Sequence, residues 1–221
     1  MSIPMTKYIL LFLICSPVLT LAQKLKVIER PIVWDSTRIR LSLEYLEKRH
    51  GIKQATPYIK PRMVVVHWTA IPTLEGSLRA FDKAQLSASR KELIQNSALN
   101  VSVAYLVDRD GTIYHLLPDT TFTRHCIGLN YMAIGIENIG DNDKYPLTEA
   151  QLKANVQIIK SLCKKYPIEW MIGHHEYYAF RNTPLWKETD PNYITQKTDP
   201  GPEFMEKLRI QLKKLNLKAT P

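Results

Sequence analysis

Several side chains able to support hydrolysis stand at the ends of apolar runs in this 221-residue chain. His67 closes Val64-Val65-Val66, Glu137 closes Ile134-Gly135-Ile136, and His174 and His175 follow Trp170-Met171-Ile172-Gly173. Asp199 lies in Lys197-Thr198-Asp199-Pro200-Gly201, where a further periodic segment begins. Two histidines and one carboxylate would leave a zinc ion one open position, as a hydrolytic site requires. Such an ion lowers the pKa of a bound water toward ~7 and polarises the carbonyl under attack. A base must still take the water's proton, and a carboxylate at the end of an apolar strand suits that task, since such groups are seldom buried without a partner or a role. His175-Glu176 resembles the opening of the H-E-x-x-H zinc-protease pattern, but position 179 is Ala179, so the pattern fails. Plainer readings stand beside these: His67 as a hydrogen-bonded core histidine, Asp199 as a helix N-cap, Lys197 as a solvated loop lysine. Spacing alone does not bring the residues together.

The elements that would have to position them can be read along the chain. Asp35 and Ser36 can cap a helix through Leu41, Leu43, Tyr45 and Leu46 to His50, closed by Gly51. Residues 54–61, with two prolines, read as a linker. Residues 62–67 are valine-rich, the composition of a strand buried on both faces, and a helical region lies between Leu74 and Leu93. Residues 100–107 and 112–117 read as strands of a hairpin around Asp108-Arg109-Asp110-Gly111. Residues 132–137 and 168–173 are two further strands. Between them Thr148-Glu149-Ala150-Gln151 is a capping box for a helix to about Lys165. A polar loop over 175–198 precedes a terminal helix opened by Pro200-Gly201-Pro202. Strands alternating with helices predict an α/β fold, a mixed central β-sheet flanked by helices.

Composition narrows the setting. Apolar residues make up 45% and charged residues 23% of the chain, the balance of a globular protein. Residues 1–22 carry Lys7, an apolar stretch and small residues at Thr20 and Ala22, the parts of a secretory signal peptide cleaved after Ala22. Pro17 interrupts that stretch, which argues against a membrane span and for no stable membrane insertion after cleavage. Cleavage would remove one basic residue and leave a net charge of +8, which favours anionic partners such as cell-wall polymer. The basic residues are scattered and unpaired with aromatics, so no nucleic acid is expected. Cys126 and Cys163 would survive cleavage; two packed thiols are the simpler reading than a disulfide.

Four ordered segments carry a resemblance. Val64-Val65-Val66-His67-Trp68-Thr69-Ala70, Val107-Asp108-Arg109-Asp110-Gly111-Thr112-Ile113-Tyr114, Ala133-Ile134-Gly135-Ile136-Glu137, and Gly173-His174 with Lys197-Thr198-Asp199-Pro200-Gly201-Pro202 resemble the type 2 N-acetylmuramoyl-L-alanine amidase family, which includes peptidoglycan recognition proteins. The resemblance implies one catalytic domain over 61–217, preceded by an arm and helix over 23–60. It implies that His67, His174 and Asp199 ligate Zn2+, with His174 chosen over His175 because the family's ligand directly follows the glycine. It implies that Glu137 acts as general base and then acid, that Lys197 faces the developing oxyanion, and that His125 and Trp68 contact substrate. The reaction implied is hydrolysis of the amide between N-acetylmuramic acid and L-alanine of the peptidoglycan stem peptide, by a monomer secreted or held in the periplasm or cell envelope. The alternative is a non-catalytic module that binds peptidoglycan or its muropeptide fragments. Two departures stand out: the family's Trp-His-Ala-Gly turn reads Arg124-His125-Cys126-Ile127-Gly128 here, and Ala104 stands where relatives have histidine. Cys126 beside His125 is a further candidate ligand, though a packed thiol is the simpler reading. Arg90, Arg124 and Arg181 are candidates to meet a substrate carboxylate.

Overall fold

The computed structural model describes residues 27–88 and 90–221; the expected signal peptide lies outside them. Six strands form one mixed sheet, β1 (Val27–Glu29), β2 (Met63–Trp68), β3 (Tyr105–Val107), β4 (Ile113–His115), β5 (Ala133–Asn138) and β6 (Trp170–Gly173), in the order β1-β4-β3-β5-β2-β6. Only the β3–β4 hairpin is antiparallel. The core of the sheet is the parallel trio β5-β2-β6, where Val64 pairs with Ile134 on one side and Met171 on the other.

Alternation along these strands divides the apolar residues between two layers. Val64, Val66, Ile134, Ile136 and Met171 face the helices α4 (Glu149–Lys165) and α5 (Pro202–Leu212). Met63, Val65 and Ile172 face the other way, onto Leu129, Tyr177 and Phe180. Thr148 caps α4 as the sequence predicts, with its side chain and that of Gln151 exchanging bonds with the backbone. Its apolar stripe is sealed: Leu152 is 2% exposed and Ile159 and Leu162 are 0%. Each such side chain contributes roughly 1.5–3 kcal/mol, so a charge at Ile159 would detach the layer.

The helix α1 (Ser36–His50) also follows its sequence signals, with Asp35 accepting from the Arg38 amide and Gly51 in the left-handed region at φ 65°. It packs Leu41, Tyr45 and Leu46 against Ile59, Leu99 and Phe122. Several local expectations need correction. Residues 54–61 are not a free linker: Ile59 is buried, and the amides of Ile59 and Phe122 bond across to Thr120 and Pro57 carbonyls. The single helix expected between Leu74 and Leu93 is two, α2 (Leu74–Asp82) and α3 (Lys91–Ile94). Its break has a cause: the buried Arg38 guanidinium donates to the carbonyls of Phe81, Asp82 and Lys83 and so caps α2 at that point. The strand expected from residue 100 begins only at Tyr105, because Asn100 turns its amide onto the carbonyls of Ala80 and Lys83 and Ser102 bonds the Arg124 carbonyl. The loop after β6 opens as a 3-10 helix, His174–Phe180, in which Glu176 accepts from the Gly173 amide. Cys126 and Cys163 are free and belong to opposite layers of the sheet. No described helix is long and apolar enough to cross a membrane.

Candidate metal centre

The parallel trio delivers its polar residues to one place. His67 and Glu137 are paired in register on β2 and β5, both on the face opposite α4. β6 places Gly173 level with Val66, so the next residue, His174, arrives beside His67. Asp199 comes from the chain preceding α5, where the Asp199–Pro200 bond is cis. The N-cap of α5 is Gly201, with φ 87°, so Asp199 is not the helix cap and its carboxylate is free for other work.

That carboxylate completes a triangle. His67 Nδ1 lies 3.0 Å from His174 Nδ1, and Asp199 Oδ2 lies 3.1 Å from each. Donor atoms bound tetrahedrally to one zinc at ~2.0–2.1 Å stand about 3.3 Å apart. The observed edges fall just inside that figure. Three nearly buried groups, 1%, 6% and 8% exposed, thus aim lone pairs at one point, an arrangement that fits a divalent cation. His175 sits in the 3-10 helix, with its Nδ1 on the Asp199 carbonyl. It is outside the triangle.

Electrostatics follow from burial and from the neighbours. Burial alone would raise the Asp199 pKa, but the imidazoles of His174 and His67 beside it outweigh burial and hold the carboxyl far below the usual range. Burial, then the neighbouring His67, lowers His174 to about 4. Glu137 is raised to about 7 by burial, only partly offset by His67. Its Oε2 atom is sealed from solvent and has no hydrogen-bond partner among the described residues. A carboxyl with that pKa can change protonation state near neutrality.

A cavity of about 290 Å³ opens over these groups; Trp68, Glu137 and Lys197 line it along with the triangle. Tyr45 from α1, Arg90 and Tyr193 form other parts of its wall. Of the arginines weighed for a substrate carboxylate, Arg124 is committed to the carbonyls of Leu93, Ser97 and Leu99 and to the Tyr193 hydroxyl. Arg181 binds the Tyr178 hydroxyl and the Pro191 carbonyl. Arg90 is exposed at the cavity. Cys126 lines the cavity with its thiol pKa pushed up by burial, and it is not part of the triangle. Sequence reasoning missed Asn130, whose Oδ1 accepts from the backbone amides of both His125 and Cys126. The only sequence signal for it would have been an amide side chain five residues beyond a candidate histidine.

A sheet of this topology with polar groups gathered at the ends of parallel strands defines an α/β protein with a buried two-histidine, one-carboxylate centre. Residues 57–202 match the N-acetylmuramoyl-L-alanine amidase family, and the chain belongs to that family. Among solved structures it is similar to the N-acetylmuramoyl-L-alanine amidase LysC from Clostridium intestinale URNW, at 21% identity over 87% of this chain and 99% of that one, with TM-score 0.53. The endolysin amidase LysCS from the same organism is similar at 21% identity over 87% and 97%, with TM-score 0.52. No curated protein matches the chain.

Proposed function

We propose that this chain is a zinc-dependent hydrolase of the amide between N-acetylmuramic acid and L-alanine in peptidoglycan. The observation that carries the reading is the triangle of His67, His174 and Asp199 beside a buried carboxyl, Glu137, that titrates near neutrality. His67, His174 and Asp199 would hold the ion. When bound, zinc polarises the carbonyl and acidifies the attacking water. Glu137 takes the water's proton as a carboxylate and returns it to the departing L-alanine nitrogen. The Lys197 ammonium adds positive charge on the side of the cavity where the oxyanion develops. Trp68, which lines the cavity, offers an apolar wall for the substrate. Residues 1–22 serve as a cleaved signal peptide and the remainder works as a secreted or cell-envelope monomer, with 61–217 as the catalytic domain. The family membership supports peptidoglycan as the ligand.

The test uses purified sacculi. Incubation with the protein is expected to release stem peptides that begin with a free L-alanine amine, and a chelator to stop the release. Sedimentation with sacculi without any such release would replace the hydrolase by the binding module. Zinc measured at one equivalent per chain is the companion result; its absence after growth in zinc would remove the metal.

A further inference from the structure

His125 lines the cavity, and its ring also bonds two groups of the protein. Its Nε2 lies 3.2 Å from the Ala133 carbonyl oxygen and its Nδ1 lies 3.0 Å from His67 Nε2. A carbonyl only accepts, so Nε2 of His125 carries the hydrogen. Nδ1 of a neutral ring is then an acceptor, and His67 must donate to it from Nε2. That leaves His67 Nδ1, the atom in the triangle, with a free lone pair. From this chain of bonds we propose that His125 is a positioning residue: it fixes the Nε2–H tautomer and the ring plane of His67 so that Nδ1 faces the cation. The inference rests on the metal reading of the site and concerns how one ligand is held.

The surroundings are built for this arrangement. The two rings stand nearly perpendicular, at 87° with centroids 5.1 Å apart. His125 lies flat against β5 because position 135 is glycine; a Cβ there would come 2.9 Å from His125 Cγ. Asn130 holds the backbone amides on either side of His125. His174 has no equivalent support, since its Nε2 is buried with no partner among the described residues. Of the two imidazoles, His67 is therefore the one whose tautomer the protein sets. Outer partners of this kind, when removed, typically lower metal affinity 10–100-fold.

The experiment compares His125→Leu with His125→Asn. Leucine fills the space without an acceptor, whereas asparagine puts Oδ1 close to where Nδ1 stood. Zinc affinity of chelator-stripped protein is measured by competition with a chromophoric chelator. Leucine is expected to weaken zinc roughly 10–100-fold, and asparagine to restore most of it. Nitrogen-15 spectra of the metal-free protein should show His67 as the Nε2–H tautomer in the wild type and not fixed there in the leucine variant. If leucine fails to fold, Gly135→Ala displaces the ring and is expected to act in the same direction. Leucine binding zinc as tightly as wild type, or His67 carrying its hydrogen on Nδ1 in the wild type, overturns the proposal. Wild type binding no zinc would remove the metal reading instead, and the tautomer spectrum would still decide the relay.

Discussion

Glu137→Gln is expected to stabilise the metal-free protein at about pH 8, have little effect at about pH 4, and abolish most turnover of the loaded protein. The carboxyl is raised from its ordinary 4.5 to about 7, so between those values the folded state retains a proton that the unfolded chain has released. Stability therefore falls as pH rises through that window and stays low above it. The full displacement corresponds to roughly 3.4 kcal/mol. The residue is only partly buried while its Oε2 is sealed, so after allowance for screening the working figure is about 2–3 kcal/mol. Glutamine keeps the shape and carries no charge, so it should recover that amount where glutamate is ionised. Urea unfolding in the presence of a chelator at the two pH values reads the effect directly. In the zinc-loaded protein the same change removes the proton acceptor, for an expected loss of about 10²–10⁴ in rate. A variant no more stabilised at the higher pH than at the lower would show that the carboxyl bears no burial cost. A variant that keeps its turnover within a few-fold would place the base elsewhere.

Three further outcomes follow from the same structure. Asp199→Asn removes the charged corner of the triangle and is expected to deplete bound zinc, measured as metal per chain, while circular dichroism stays unchanged. Arg38→Met leaves three carbonyls at the end of α2 without their donor and should cost about 1–3 kcal/mol in denaturant unfolding; no measurable cost would mean that water replaces the guanidinium freely. Asp119 is lowered to about 2 because the His115 imidazole 3.7 Å away and a hydrogen bond from the Tyr105 hydroxyl outweigh the effect of burial, which alone would raise it. Its stabilising contribution is complete above the ordinary carboxylate range and is lost as pH falls toward 2, so Asp119→Asn should flatten acid unfolding in that interval.

Much of the site could be read from the sequence because strand composition carries geometry with it. Three apolar runs ending in His67, Glu137 and Gly173-His174 read as strands, and the parallel pairing that sets their end residues side by side came from the fold. The capping box at Thr148 and the glycine at 51 were equally plain, since both act through local backbone bonds. What escaped was set by distant partners. β1 has three residues and exists through pairing with β4, which no local pattern announces. The break between α2 and α3 depends on an arginine more than forty positions earlier in the chain. The acceptor role of His125 depends on a strand glycine and on a carbonyl, neither of which has a distinctive spacing. Asp199 reads in sequence as a cap or as a ligand, and only the placement of the α5 N-cap at Gly201 separates the two.

The segment before the family match bears on the site as much as on the fold. The match begins at residue 57, after α1 has ended. Yet α1 puts Tyr45 into the cavity wall, and the guanidinium of Arg124, another wall residue, sits over the Tyr45 ring at 5.2 Å. One turn further on, Arg49 pairs with Glu188 at 2.9 Å, and the backbone of Thr189 bonds the Arg49 carbonyl. Those contacts hold the segment that goes on to supply Tyr193, Thr195 and Lys197 to the cavity. Arg38 meanwhile fixes the end of α2, next to Ala80 and Phe81 on the opposite wall. Removing α1 would expose Ile59, Leu99 and Phe122, the apolar side chains against which its Leu41, Tyr45 and Leu46 pack. A chain cut at residue 52 is thus expected to lose its cooperative transition as well as its cavity. If such a chain unfolds at the same denaturant concentration as the whole protein, α1 is an appendage and the walls it touches stand without it.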